Sequence, residues 1–184
     1  MLPAMPPNLL LRRIRVARER FVPFLRPADD NEALLRRYLR KGELYGLFCN
    51  KREPVSMAVV ADVSASFAAG GREAGLAPAL AGLRVCECTL LATAPALRGR
   101  GCGTQLLMRL CGLYDGAYDA MLAGTGETPR MRRFYEDRCG FRPCFRRVGF
   151  FMQGYPQPLI EDGVQLRDML VFCRFLRRGA SPGA

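Results

Sequence analysis

Apolar and polar residues recur along the chain with two periods, one typical of strands and one typical of helices. Alternation at every second position, or a short apolar run between polar turns, predicts seven strands. They are Arg12–Glu19, Leu44–Cys49, Pro54–Phe67, Leu83–Thr93, Tyr118–Ala123, Phe141–Met152 and Val164–Leu176. Apolar residues three and four positions apart predict three helices. The first follows an N-cap at Asp29 or Asp30 and ends at Gly42, and the others cover Thr104–Leu113 and Pro129–Arg138.

The order of these elements predicts an α/β fold, in which helices cover a sheet that contains both hairpins and crossover connections. The stretch Ala68–Gly82 is rich in glycine and alanine and is predicted to be a loop within the domain. We expect a single domain over residues 12–176, with a flexible start over residues 1–11 and a flexible tail over residues 177–184.

Length and hydropathy are those of an ordinary globular protein. The chain has 184 residues, of which 49% are hydrophobic and 24% are charged, and this suits one domain with one core. No apolar run approaches the roughly 20 residues that a membrane-spanning helix needs. No secretion signal precedes the first strand. We therefore expect a cytoplasmic protein with no membrane partner.

The formal net charge is +11, and all but two of the 28 basic residues are arginine. Either a coding bias towards arginine or an anionic partner, such as a nucleotide, a nucleic acid or a membrane surface, explains this charge. The basic residues are spread along the chain rather than gathered in one tail. This spread argues against a dedicated nucleic-acid-binding arm.

The chain has eight cysteines and no histidine. Without histidine, a zinc site would need thiolate ligands alone, and no C-x-x-C pair is present to supply them. The lack of histidine also excludes every histidine-based catalytic triad or base. We therefore expect no metal site, and we expect most of the cysteines to be small apolar core residues.

A predicted strand, a glycine-rich loop and a predicted helix follow one another between Leu90 and Thr104. Gly99, Gly101 and Gly103 allow a sharp turn and the close approach of a ligand. The start of a helix offers unpaired N–H groups and a partial positive charge, and these bind phosphate or pyrophosphate. The glycine spacing fits neither the P-loop nor the dinucleotide-binding fingerprint. On spacing alone, a plain turn between strand and helix is the alternative.

The same stretch resembles the R/Q-x-x-G-x-G/A signature of the GNAT superfamily of N-acetyltransferases. The matching residues are Arg98, Gly101 and Gly103, with Pro95 three residues before the arginine. The run Phe134–Phe141 resembles the second signature of that family, a helix that carries Phe-Tyr and ends in Gly-Phe.

The resemblance covers residues 28–176, and its C-terminal part is similar to a small bacterial branch of the family whose acceptor is unassigned. The stretches that carry it are Gly124–Gly126, Gly154–Pro156, Glu161–Gly163 and Asp168-Met169. Two positions depart from the family pattern. One residue more than usual separates Tyr135 from Gly140, and Glu127 stands where the branch has asparagine.

The resemblance implies a three-layer α/β fold with a mixed sheet of about seven strands, flanking helices and a central pair of strands that splays apart. It implies acetyl-CoA as co-substrate and no metal. The backbone of Leu91, Ala92 and Thr93 would pair with the pantetheine arm, and an N–H near Leu91 would polarise the thioester carbonyl. The pyrophosphate would bind the N–H groups of Arg98, Gly99, Arg100, Gly101, Cys102, Gly103 and Thr104.

Two residues are candidate catalytic groups by the same resemblance. Glu87 lies four residues before Leu91, where histone-acetylating members place their glutamate base, and burial would make it a better base that acts through a water. Tyr135 is the candidate general acid for the leaving thiolate. The alternatives are a glutamate on the solvent side of the sheet and a tyrosine packed in a helix. Cys102 is not expected to form an acetyl-cysteine, because it lies inside the phosphate loop.

The acceptor half is less defined by the sequence. Three aromatic residues either wall an acceptor pocket or belong to the core, and they are Phe150, Phe151 and Tyr155. Three carboxylates either attract a cationic amine or are simply solvated, and they are Glu161, Asp162 and Asp168. Glu127 faces either the acceptor or solvent.

The leading hypothesis is an N-acetyltransferase that transfers an acetyl group from acetyl-CoA to a primary amine by direct attack in a ternary complex. The acceptor is a small molecule or a protein, and the net charge of +11 disfavours a strongly cationic one. A GNAT-fold sensor that binds CoA without turnover is the first alternative. A basic nucleic-acid-binding protein is a weaker one, and a homodimer remains open.

Overall fold

The computed structural model describes residues 8–49 and 53–176. The predicted tail, and residues 1–7 of the predicted start, lie outside these ranges. Within them, the strands are β1 (Leu9–Ile14), β2 (Glu43–Cys49), β3 (Glu53–Asp62), β4 (Val85–Thr93), β5 (Ala120–Gly126), β6 (Arg142–Arg147), β7 (Ile160–Glu161), β8 (Val164–Gln165) and β9 (Met169–Phe175). The helices are α1 (Val22–Leu25), α2 (Glu32–Lys41), α3 (Cys102–Tyr114), α4 (Pro129–Arg132) and α5 (Phe150–Gly154).

Seven of the described strands form one mixed sheet in the order β1-β2-β3-β4-β5-β9-β6. The pairs β1–β2, β2–β3, β5–β9 and β6–β9 are antiparallel, and β7 and β8 form a separate two-stranded hairpin. The α/β class and the seven-stranded sheet with flanking helices are confirmed. No helix in the described part of the chain is long and apolar enough to cross a membrane.

The chain divides into two compact units. Unit 1 consists of residues 1–61 and 88–113, and unit 2 consists of residues 62–87 and 114–184. In unit 1, Leu35 and Leu39 of α2 pack against apolar side chains of β2, β3 and β4, and the β4 residues in this cluster are Leu90 and Ala92. The spacing of four between Leu35 and Leu39 places both on one face of the helix.

Unit 2 has a core of its own, and the predicted loop Ala68–Gly82 contributes to it. Ala77 and Leu80 are buried in a cluster with side chains of β4, β5, β6 and β9, and a 3-10 turn covers Pro78–Leu80. Glu73 is also buried, with 4% of its surface exposed. This stretch is therefore a packed part of unit 2 rather than an open loop.

Several element boundaries differ from the predicted ones for local reasons. The first strand begins at Leu9, which lies before its predicted start and inside the predicted flexible start. The N-cap of α2 is Asn31, whose Oδ1 accepts the N–H of Leu34, whereas Asp29 accepts the N–H of Asn31. Asp29 therefore bonds the turn that precedes the helix, and Asn31 bonds the first turn of the helix itself. The predicted strand over Phe141–Met152 ends at Arg147, because α5 follows.

Candidate active site

The anion-binding loop predicted from the glycines follows β4 in unit 1. A 3-10 turn over Pro95–Leu97 connects the strand to the loop, and α3 begins at Cys102, two residues before its predicted start. Gly99 and Gly101 have φ values of +73° and +79°, a region that side chains disfavour. The first turn of α3 leaves N–H groups without partners inside the helix. Strand, turn and helix start therefore have the geometry of a phosphate cradle.

Unit 1 holds the end of β4 in place through its neighbour β3. The Ser56 hydroxyl lies 2.8 Å from the carbonyl oxygen of Ala92 and 3.0 Å from Oγ1 of Thr93. The N–H of Ala94 donates to the carbonyl of Val55 at 3.0 Å. Nε of Arg98 donates to the carbonyl of Thr93 at 3.3 Å, so this arginine ties the loop to the strand.

Cys102 lies at the start of α3 and is 1% exposed. Burial raises the pKa of its thiol, and the charge of Arg100 opposes this only in part. Since the thiolate is the nucleophilic form, a thiol that stays protonated at neutral pH is a poor acetyl acceptor. The electrostatics therefore agree with the expectation that Cys102 is not a covalent nucleophile.

Glu87 belongs to a buried ionic cluster in unit 2, the Glu73–Arg147–Glu87 cluster. Nη1 and Nη2 of Arg147 donate to the two oxygens of Glu87 at 2.7 and 2.8 Å. Nε and Nη2 of Arg147 donate to the two oxygens of Glu73 at 2.6 and 3.2 Å. Nη1 also lies 3.4 Å from Sδ of Met169. The side chains are 7%, 5% and 13% exposed for Glu87, Glu73 and Arg147.

This geometry gives each of the five N–H donors of Arg147 an acceptor. Burial alone would lower the pKa of Arg147, but hydrogen bonds and charge attraction from Glu87 and Glu73 raise it above its usual value. The cluster carries two carboxylates and one guanidinium, so its formal charge is −1. Each carboxylate oxygen accepts from Arg147 and keeps lone-pair capacity for one further donor.

The burial of Glu87 shows that the solvent-side alternative for this residue is wrong. Neither partner in this cluster could be predicted from the sequence, because Arg147 lies 60 positions along the chain from Glu87 and 74 positions from Glu73. One signal was available: a carboxylate in an apolar strand requires a counter-charge. With 28 basic residues in the chain, this requirement could not identify which of them pairs with Glu87.

Tyr135 is buried among aromatic rings in unit 2. Its ring stacks on Phe172 with centroids 5.1 Å apart and an interplanar angle of 21°. Phe134 and Phe141 meet it edge-on at 4.9 and 6.0 Å. The residue is 6% exposed, so its ring is packed, as the alternative of a tyrosine packed in a helix predicts. This packing fixes the orientation of the ring. The role of Tyr135 as general acid stays a proposal.

A π-helical turn includes Tyr135 and precedes Gly140, where the resemblance implies one residue more than the family pattern. The turn covers Arg133–Arg138 and continues α4, and the N–H of Phe141 donates to the carbonyl of Tyr135 at 2.9 Å. One added residue in a helix is the usual origin of such a turn, and these turns are frequent at functional sites. Gly140 follows with a φ of +66°.

Replacing Gly140 by alanine is expected to lower the free energy of unfolding by about 1–2 kcal/mol, because a side chain is strained at positive φ. The added methyl would also displace Nη1 of Arg174, which lies 2.5 Å from its position and donates to the carbonyl of Cys139. Gly112 in α3 has open space around it, so Gly112→Ala is expected to stabilise by about 0.5–1 kcal/mol. Urea unfolding of both variants measures the two changes in the free energy of unfolding. Changes of the same sign in the two variants would contradict the prediction.

The carboxylates considered for acceptor binding have other partners within unit 2. Arg130 pairs with Glu161 and Asp162, and the hydrogen bond from Arg130 lowers the pKa of Asp162. Asp168 accepts the N–H of Gly149 at 2.8 Å. Glu127 is paired as well, because Arg132 and Arg146 form ion pairs with it and lower its pKa, while 30% of its side chain stays exposed.

Of the three aromatic residues considered for an acceptor wall, one belongs to the core of unit 2, and the other two pack against it and stay partly exposed. Phe151 is buried in that core, and Phe150 and Tyr155 pack against it. Most of the cysteines also behave as predicted. All eight are free thiols, and six of them are buried. They therefore act as small apolar side chains.

Comparison with known proteins identifies the family. A family model described as "Acetyltransferase (GNAT) family" matches residues 11–141. No curated protein matches the chain in sequence at a significant level. Among solved structures, the chain is similar to a GNAT family acetyltransferase from Elizabethkingia anophelis with acetyl-CoA bound, at 24% identity over 92% of this chain and 99% of that one, with a TM-score of 0.75.

Two further solved structures share the fold. The Bacillus subtilis acetyltransferase in complex with CoA is 21% identical over 91% of this chain and 99% of that one, with a TM-score of 0.73. The ribosomal-protein-S18-alanine N-acetyltransferase from Escherichia coli is 10% identical over 96% and 99%, with a TM-score of 0.60. These identities support a common fold, and the family model covers well over half of the sequence. The chain belongs to the GNAT acetyltransferase family.

Proposed function

We propose that this protein is an N-acetyltransferase that transfers the acetyl group of acetyl-CoA to a primary amine by direct attack in a ternary complex. The observation that carries the proposal is the loop after β4, where two glycines at positive φ lead into the unpaired N–H groups of α3. Acetyl-CoA and CoA in two structures of the same fold support it.

The cofactor half of the proposal uses the backbone of unit 1. Leu91, Ala92 and Thr93 would bind the pantetheine arm through their N–H and C=O groups, and an N–H near Leu91 would polarise the thioester carbonyl. The pyrophosphate would bind the N–H groups of residues 98–104. The contacts of Ser56 and Arg98 with the end of β4 support this assignment, because they fix the strand and the loop in advance.

The catalytic half assigns one proton transfer to each candidate residue. The nitrogen lone pair of the neutral amine attacks the thioester carbon, and the carbon–sulfur bond breaks. Glu87 would take the proton that the amine loses, through a water that uses its remaining lone-pair capacity. Tyr135 would give its phenolic proton to the departing thiolate. Arg147 would hold Glu87 in one orientation through two parallel hydrogen bonds.

The sensor alternative also has an observation in its favour. Glu87 is engaged by a guanidinium and Tyr135 is packed on Phe172, so neither residue is held open as a reactive group. A sensor that binds CoA without turnover would need the loop after β4. It would not need a reactive Glu87 or Tyr135.

The test is thiol release from acetyl-CoA by the purified protein with a panel of primary amines. We expect turnover with at least one amine, and we expect Glu87→Gln to lower kcat by about a hundredfold, as loss of a general base does. This variant leaves Arg147 paired with Glu73 in a neutral cluster, so it is expected to fold. Tyr135→Phe keeps the ring and removes only the hydroxyl.

Calorimetric titration with acetyl-CoA separates the outcomes. Unchanged acetyl-CoA affinity in both variants, together with lost thiol release, supports the proposed roles. Acetyl-CoA binding without release for any amine would favour the sensor. A protein that binds no acyl-CoA would overturn the whole proposal.

A further inference from the structure

The excess positive charge is concentrated in unit 1. This unit contains fifteen basic and six acidic residues, whereas unit 2 contains thirteen basic and eleven acidic ones. Unit 1 therefore carries +9 of the net +11, and unit 2 is close to neutral. Basic residues are spread along the sequence, but the acidic residues that balance them are concentrated in unit 2.

Part of this unbalanced charge lies on the outer face of α2, and we call this part the α2 basic face. Arg37, Arg40 and Lys41 are exposed, and in the described part of the chain no carboxylate forms an ion pair with any of them. Arg36, on the flank of the same helix, pairs with Glu32 and Glu19. The unpaired charges are thus confined to one side of α2.

Arg18, which is half-buried, adds a cation at the C-terminal end of α2. Its Nη2 donates to the carbonyl of Gly42, the C-cap of α2, at 2.5 Å. This contact places a further guanidinium beside the last turn, and a carbonyl does not neutralise its charge. The helix dipole favours cations in the last turn of a helix, and it therefore accounts for Arg40 and Lys41. It does not explain Arg37, which lies a turn earlier.

The opposite face of α2 belongs to the apolar core of unit 1. Leu35 and Leu39 pack in one cluster with Leu90 and Ala92 of β4, on either side of Leu91. A helix with its side chains is about 10–12 Å across. The α2 basic face therefore lies about this width away from the core that α2 shares with β4, and a bound polypeptide passes around the helix to bring its amine to that strand.

We propose that the α2 basic face binds the acceptor, and that this acceptor is a polypeptide with acidic side chains near its reactive amine. The inference rests on the proposed function. Guanidinium groups bind carboxylates in a fixed bidentate geometry, and unpaired cations on one face attract a partner of opposite charge. A nucleic acid would match the charge, but it offers no alkyl amine for acetylation. A cationic polyamine would be repelled.

The test compares two synthetic peptides with a free N-terminal amine and one lysine, identical except that a run of Glu in one is Gln in the other. We expect kcat/KM at low ionic strength to be about tenfold higher for the Glu peptide, the combined effect of several exposed ion pairs. About 0.5 M NaCl should remove the preference by screening. The variant Arg37→Gln/Arg40→Gln/Lys41→Gln should lose it as well.

The matched control removes three charges from unit 2, by Arg138→Gln/Arg142→Gln/Arg167→Gln. These arginines are exposed and have no role in the proposed contacts, so this variant should keep the preference for the Glu peptide. Equal kcat/KM for both peptides, or equal losses in the two triple variants, would overturn the inference.

Fluorescence anisotropy with the labelled Glu peptide separates this inference from the proposed function. If no amine gives thiol release, the proposed function fails. Even then, binding of the Glu peptide to the wild type and not to the α2 variant would support the α2 basic face as a docking surface. Binding to neither protein would overturn the inference. Tighter binding of labelled single-stranded DNA than of the Glu peptide would also overturn it, because the partner would then be a nucleic acid.

Discussion

Replacing Arg147 by methionine is expected to lower the free energy of unfolding by about 3–5 kcal/mol, the cost of leaving a buried charge unpaired. The variant removes the guanidinium whose hydrogen bonds engage both oxygens of Glu73 and both oxygens of Glu87. Two carboxylates that are 5% and 7% exposed would then face each other without a counter-charge. Urea unfolding followed by circular dichroism gives the measurement.

The control for this prediction is the same substitution at an exposed arginine that also bridges two carboxylates. Arg130 pairs with Glu161 and Asp162, and its side chain is 53% exposed. Arg130→Met is expected to cost at most about 1 kcal/mol, as exposed ion pairs do. Similar losses in the two variants would show that burial does not set the energy of the cluster.

A second variant distinguishes the unpaired charge from a loss of packing. Arg147→Met/Glu73→Gln/Glu87→Gln replaces the whole cluster by neutral side chains of similar size. Replacing every member of a buried ionic cluster is often neutral or stabilising, whereas removing one member is not. We therefore expect the triple variant to be more stable than Arg147→Met alone. A triple variant less stable than Arg147→Met would show that the unpaired carboxylates do not cause the loss of stability.

Elements held by local chemistry were predictable from the sequence. The strand that became β4 and the helix that became α3 appear within two residues of their predicted starts, because an apolar strand and an amphipathic stripe surround the glycine loop. The end of α2 at Gly42 was also predicted. The strand predicted over Pro54–Phe67 ends at Asp62, because the carboxylate of Asp62 accepts the N–H and the hydroxyl of Ser64 and starts a turn.

Elements that depend on distant partners were not predictable. Glu73 lies in a segment with loop composition, and only the folded chain brings it to Arg147, 74 positions away. The sequence likewise supplied the carboxylates Glu161 and Asp162 without showing that Arg130 neutralises them. Charges can be counted in a sequence, but pairing is a property of the fold. This is why the cofactor half of the candidate site was well defined and the acceptor half was not.

Replacing Gly101 by valine is expected to raise the Kd for acetyl-CoA by about 10²–10⁴-fold, the loss of about two charge-assisted hydrogen bonds. Gly101 has a φ of +79° and directly precedes α3. A β-branched residue disfavours this conformation strongly, so the loop would turn its N–H groups away from the pyrophosphate. In the proposed complex, the side chain would also occupy space that the phosphate needs. Isothermal titration with acetyl-CoA measures the change.

Gly70→Val is the matched control, because it introduces the same strain away from any proposed ligand. Gly70 has a φ of +74° with open space around it, and it lies in the Ala68–Gly82 stretch of unit 2. Both valines should cost about 1–2 kcal/mol of stability, but only Gly101→Val should lose acetyl-CoA. If Gly101→Val bound acetyl-CoA as tightly as Gly70→Val, the backbone N–H groups of this loop would not be the pyrophosphate site. A loss in both variants would show that strain alone accounts for the effect.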